Sequence, residues 1–137
     1  MQTSSPRGSE TVLLVDAEPE PRKLAIFMLQ RQGYTILEAR NGVEAMTLFE
    51  KHNSEVALLL TEVRRRGWQL AAKLQELHPK LRVLYMSDSE GAEVRSVVEQ
   101  GMPFLKKPFT MHEIAEAVHQ ALNDPREKAM AAGRSSA

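Results

Sequence analysis

Five short apolar runs punctuate the chain, and a stretch of helical periodicity follows each one. The first run is "TVLLVD", Thr11 to Asp16, with β-branched residues at Val12 and Val15. An uninterrupted apolar run of this length fits a strand buried on both faces, as in a parallel sheet. In "AEPEPRKLAIFMLQRQG" the residues Leu24, Phe27 and Met28 share one helical face, and Gly33 stands where a C-terminal cap belongs. "YTILEA" reads as a second strand, and "NGVEAMTLFEKH" as a helix with Val43, Met46 and Phe49 spaced by three. "VALLLT" is the third strand, and "WQLAAKLQEL" places Leu70, Leu74 and Leu77 at helical spacing. "RVLYMS", "AEVRSVVEQG", "PFLKK" and "MHEIAEAVHQAL" continue the alternation and end at Asp124-Pro125. The Met and Phe residues of the first two helices are assigned to the core.

Strand and helix thus alternate five times with short connections. This order predicts an α/β fold: a doubly wound, five-stranded parallel sheet, (βα)5, with helices on both faces. A single domain over 11–123 is expected, after a disordered lead at 1–10 and before a flexible tail at 124–137. In such sheets function gathers at the carboxyl ends of the strands, near the switch in strand order. The residues to weigh there are Asp16, Ala17 and Glu18, then Glu62, Ser87 and Lys107.

Composition narrows the function classes. A chain of 137 residues suits one core, and its 18 basic and 18 acidic residues cancel. A neutral balance argues against nucleic acid or a membrane surface as partner. The absence of cysteine excludes disulfides, thiol catalysis and cysteine metal sites. "MQTSSPRGSE" has no apolar stretch of signal-peptide length, and no segment has the roughly 20 apolar residues of a membrane span. A soluble, cytoplasmic protein is expected.

The stretch "VALLLTEVRRRGW" carries the main chemical question: a buried strand ends in Glu62, and three arginines crowd the next turn. Together with "LLVDAEP", "LEARNGVEAM", "VLYMS" and "GMPFLKKPF", it resembles the receiver domains (CheY-like) of two-component response regulators. The resemblance runs from about Thr11 to Leu122 and implies a flavodoxin-like fold. It also implies a site in which an aspartate ending the third strand accepts a phosphoryl group from a histidine kinase. In that family two further acids help hold Mg²⁺, a hydroxyl and a lysine bind the phosphoryl oxygens, and an aromatic on the fifth strand reports the switch. A metal, an ammonium and a hydroxyl suit a group whose charge is spread over three oxygens. By this resemblance Asp16 matches the first acid, Ser87 the hydroxyl, Lys107 before Pro108 the lysine, and Phe104 the switch aromatic.

Two positions depart from the pattern. Ala17 replaces a metal ligand, and Glu62 stands at the acceptor position. Mg²⁺ demands near-octahedral oxygens at about 2.0–2.1 Å, so weak or absent binding, and hence no cofactor, is expected. Glu62 carries its carboxylate outward by one bond, roughly 1.5 Å, and a misplacement of ~1 Å in phosphoryl transfer is costly. The longer side chain is expected to reach Lys107 directly. Arg64 is a candidate surrogate cation near Asp16 and Glu62, because its fork matches carboxylates; the plain alternative for the arginines is a solvated turn. Asp16 can also cap the first helix. The histidines form no metal-binding pair.

The resulting expectation is a non-enzymatic pseudo-receiver, an interaction module acting without phosphorylation. Its partner would be a histidine kinase or another regulator, with room for a homodimer and without nucleic acid or membrane. The family's usual binding face lies at about Ala92 to Leu122. The rival is a residual phosphoacceptor modified on Glu62 or Ser87. A flavin or nucleotide binder on the same fold is disfavoured because "DAEPEP", after the first strand, would repel a phosphate.

Overall fold

The computed structural model describes residues 10–64, 66–88 and 91–123. The expected lead over 1–9 and the tail over 124–137 lie outside the described residues. Five strands alternate with five helices: β1 Thr11–Val15, α1 Pro19–Arg31, β2 Thr35–Ala39, α2 Gly42–His52, β3 Val56–Glu62, α3 Gly67–Leu77, β4 Arg82–Ser87, α4 Ala92–Glu99, β5 Phe104–Lys106 and α5 Met111–Asn123. All pairings are parallel, in the order β2-β1-β3-β4-β5. This is the doubly wound, flavodoxin-like order, with its switch point between β1 and β3.

The sheet is covered on both faces because the middles of its central strands, residues 12–15, 56–60 and 83–86, are continuously apolar. Alternate residues point to opposite sides. Val12 and Leu14 of β1, Leu58 and Leu60 of β3, and Leu84 and Met86 of β4 pack with Ala25 and Leu29 of α1 and Ile114 and Val118 of α5. Leu13 and Val15, Leu59, and Val83 and Tyr85 face the other way, onto α2, α3 and α4 through Phe49, Leu74 and Val97. Burial of a Leu or Val side chain is worth about 1.5–3 kcal/mol. The strands that carry the site are therefore held by the core rather than by any one ion pair at its rim.

The helical faces differ in detail from the sequence reading. Leu24 (48% exposed), Phe27 (52%), Val43 (77%) and Leu77 (55%) are outside the core. On α1 the buried stripe is Arg22, Ala25, Met28 and Leu29, so Leu24 and Phe27 fall on the far side of the turn. Phe27 is instead covered by the Arg31 guanidinium, 5.6 Å from the ring centre. Met28 and Phe49 are core as expected, and Met46 is partly buried against it. Gly33 caps α1 with φ 100° and donates its N–H to the Gln30 carbonyl at 3.0 Å.

Candidate functional site at the carboxyl ends of β1, β3 and β5

β1 delivers Asp16 directly after Val15, and Asp16 is 2% exposed. Its main chain is pinned twice. The Asp16 N–H donates to the Ala39 carbonyl at 3.1 Å, and its own carbonyl accepts from Arg22 Nη1 at 2.9 Å. Arg22 is buried on α1 and also donates through Nε to Glu38 at 2.6 Å. Asp16 Oδ1 accepts the Glu18 N–H at 3.0 Å, one residue ahead of α1. Asp16 therefore does not cap α1 as expected: the N-cap position is Glu18, without a side-chain capping bond, and Asp16 holds only the Glu18 N–H.

β3 ends at Glu62, which is 8% exposed and lies in register with Met86 of β4. β5 is followed at once by Lys107, 6% exposed, whose N–H donates to the Ser87 carbonyl at 2.9 Å. The Lys107 ammonium then turns into the acidic group. It donates to Asp16 Oδ2 at 3.0 Å, lies 3.5 Å from Glu18 Oε1, and pairs with Glu62 Oε2. An ammonium has three donors, and here each points to a different carboxylate. The expected contact between Glu62 and Lys107 is direct and buried.

The charges respond to this enclosure. Burial pushes the Glu62 carboxyl above its usual range, against the lowering effect of Lys107 and with the Asp16 charge adding to the rise. Burial also disfavours the Lys107 ammonium, but hydrogen bonds and charges from Glu62 and Asp16 more than offset it, so its pKa is raised. The asymmetry has a simple origin: Lys107 has several carboxylates around it, whereas Glu62 has one ammonium and a like-charged neighbour. Glu62 Oε1 is buried and has no hydrogen-bond partner among the described residues.

The other expected site residues are placed as follows. Ser87 is fully buried at the end of β4. Phe104 is half-buried, pairs with Tyr85 in the β4–β5 register and packs on the α2–α3–α4 side of the core. Ala17 is half-buried beside Asp16. Arg64 does not act as the surrogate cation: its Nη2 lies 3.4 Å from Asp88 Oδ1, and both side chains are about half exposed. The cation among the acids is Lys107, whose long side chain reaches from the end of the edge strand β5 past β4 to Asp16 and Glu62. Arg65 and the segment 89–90 lie outside the described residues.

Three contributors had no role assigned from sequence. Glu18 was legible only as a neighbour of Asp16. Arg22 carried no signal, since a buried arginine looks like any helix charge. Gly67 had one: a glycine after three arginines, at a helix start. A Cβ there would stand 1.8 Å from the Glu62 carbonyl oxygen, so only glycine lets α3 begin this close to the end of β3.

Carboxylate oxygens of Asp16, Glu18 and Glu62 all lie within 4.8 Å of one another. That is a spacing a divalent ion could use, but the same three groups hold the Lys107 ammonium. In this arrangement the donor set does not fit a metal as well. No helix among the described residues is long and apolar enough to cross a membrane.

This fold, with acids and a lysine meeting at the switch point, is that of a two-component signalling module. Residues 12–119 match the response regulator receiver domain, and the chain belongs to that family. It is 34% identical over 120 residues to the sensor kinase CckA of Brucella abortus, a match covering 84% of this chain and 13% of the kinase. It is 33% identical over 116 residues to the positive alginate biosynthesis regulatory protein of Pseudomonas aeruginosa, covering 80% of this chain and 46% of that one. Among solved structures, the receiver protein from Sinorhizobium medicae superposes with a TM-score of 0.71 at 26% identity, covering 85% of this chain and 96% of the other. The chain spans half or less of the length of these two curated relatives.

Proposed function

We propose that this chain is a pseudo-receiver: a protein-interaction module of a two-component pathway that works without aspartyl phosphorylation, is not an enzyme, and binds Mg²⁺ weakly or not at all. The observation that carries this reading is the position of the Lys107 ammonium among Asp16, Glu18 and Glu62. In a receiver that accepts phosphate, a metal and the transferred group need that space, and the lysine would bind a phosphoryl oxygen instead. Here Glu62 occupies the acceptor position and Ala17 supplies no ligand. Glu62 keeps a carboxylate against Lys107, as a phosphorylated aspartate would. The partner is a histidine kinase or another regulator. The relatives, a sensor kinase and a regulator, support that choice.

The test is intact-mass measurement after incubation with acetyl phosphate and Mg²⁺. An unchanged mass is expected. Gain of one phosphoryl group, lost in Glu62→Gln or in Ser87→Ala, would overturn the reading and make this a residual phosphoacceptor.

A further inference from the structure

On the far side of Glu62 from Lys107, between α2 and α3, lies a cavity of about 460 Å³. That volume is in the range of small-molecule sites. Its walls are largely apolar and include Val15, Ala17, Val43, Met46 and Leu70, with the acids Asp16 and Glu62 also lining it where it meets the Lys107 cluster. Ala17 matters twice: an acid at this position would add a further negative charge to a wall that Asp16 and Glu62 already line, as well as an oxygen ligand to the cluster. The mouth, in contrast, is cationic. Arg40, Arg64, Arg66 and Lys73 all line it. Arg40 pairs with Glu44, and Arg64 with Asp88. Arg66 and Lys73 have no acidic partner among the described residues, although both border the same opening.

The turn that presents Arg66 is strained. Arg66 holds φ 66° and ψ 28°, a left-handed conformation that non-glycine residues rarely adopt. It stands immediately before Gly67, whose close approach to the Glu62 carbonyl fixes the start of α3. A glycine at position 66 would take this conformation without cost, so an arginine there keeps a cation at the cavity mouth at the expense of local stability. Apolar walls, unpaired cations at the rim and a strained residue holding one of them form a single constellation.

We propose that this cavity is a binding site for a small amphipathic organic anion, with its apolar body against Val43, Met46 and Leu70 and its acidic group between Arg66 and Lys73. This site adjoins the Lys107 cluster and shares Asp16 and Glu62 with it. A molecule seated there would brace α3 against the end of β3, and so would couple ligand occupancy to the geometry around Glu62. The proposal stands whether or not Glu62 can be phosphorylated, so it does not depend on the pseudo-receiver reading.

The probe is 8-anilinonaphthalene-1-sulfonate, an apolar ring system bearing one anionic group, titrated into the folded chain by fluorescence. Energy transfer from Trp68, next to Gly67, reports binding near α3. The expected result is saturable one-to-one binding with shifts in amide spectra confined to α2, α3 and the β3–α3 turn. The double variant Arg66→Gly with Lys73→Ala is chosen to keep the fold, since glycine favours the observed backbone at 66 and residue 73 is exposed on a helix. It should bind the anion at least about tenfold more weakly. The uncharged analogue N-phenyl-1-naphthylamine should bind both proteins alike. Equal anion affinity in wild type and variant, no saturable binding to wild type, or spectral shifts centred on another face would each overturn the proposal.

Discussion

Glu62 stands between two unlike regions. Toward β1 and β5 the space is filled with charge: an ammonium and three carboxylates, most of it buried. Toward α2 and α3 the space is open, its walls apolar and its cations at the rim. The first region pairs its one cation with several acids, while in the second Arg66 and Lys73 have no acidic partner among the described residues. The difference teaches that the alanine at position 17 bears on both regions at once. It adds no further charge to the acidic cluster, whose charge Lys107 offsets in part, and it adds none to the neighbouring cavity, which Asp16 and Glu62 already line.

The largest effect expected on this contrast comes from Lys107→Met. It removes the ammonium paired with both the Asp16 and Glu62 carboxylates and leaves the two buried groups without that partner, at a cost of about 3–5 kcal/mol. Urea unfolding checks it. A loss below about 1 kcal/mol would mean that the charged region is far wetter than its burial indicates.

Next comes a repair of the metal site. Ala17→Asp alone should destabilise the protein, because it adds a like charge to the cluster. Ala17→Asp with Glu62→Asp withdraws the acceptor carboxylate from Lys107 by roughly 1.5 Å and restores an oxygen ligand. Mg²⁺ should then raise the melting temperature by several degrees through mass action, and should leave wild type nearly unchanged. A wild-type rise equal to that of the double variant would refute the role given to Lys107.

A smaller effect concerns pH. The Glu62 carboxyl is raised above its ordinary 4.5 by burial. The folded state therefore holds this proton more tightly than the unfolded state, and the Glu62 contribution to stability falls as pH rises from about 4.5 through the raised value. Glu62→Gln should remove that part of the slope in urea midpoints measured across mildly acidic pH. At the alkaline end Lys107 and Tyr85 act with one sign. The Lys107 pKa is raised above 10.5, and burial pushes the Tyr85 phenol from 10.0 to about 12. Both contributions are intact below pH 10 and are lost above it.

The smallest effect belongs to Arg64→Ala. The pair with Asp88 is half exposed at 3.4 Å, so its loss should cost under about 0.5 kcal/mol. A cost of several kcal/mol in the same unfolding assay would restore Arg64 to the role of surrogate cation.

The sheet was legible in the sequence because its central strands carry continuous apolar runs, and strand ends follow from strands. That is why Asp16, Glu62 and Lys107 could be brought to one rim in advance. Helix orientation was less legible. Leu24 and Phe27 share a plausible apolar face, yet small Ala25 lies against the sheet and turns them outward. Arg64 and Lys107 were both cations near the acids on paper; only the placement of β5 decides between them. The cavity had no sequence signature at all, since it arises from the distance between α2 and α3.

The bond from Lys107 to Asp16 joins residues 91 positions apart. It therefore cannot form until β5, the last strand in sequence and the edge of the sheet, has docked. Before that moment β1 and β3 can pair through their leucines, but Asp16 and Glu62 face each other without a cation. The docking of β5 thus brings a counter-charge that offsets part of the acidic charge, and the ammonium ties the last strand to the first like a clasp. Interactions absent from the transition state slow unfolding rather than speed folding. The cluster would accordingly set how long the native state persists more than how quickly it is reached, and a chain cut before β5 would keep the acids and lose their counter-charge.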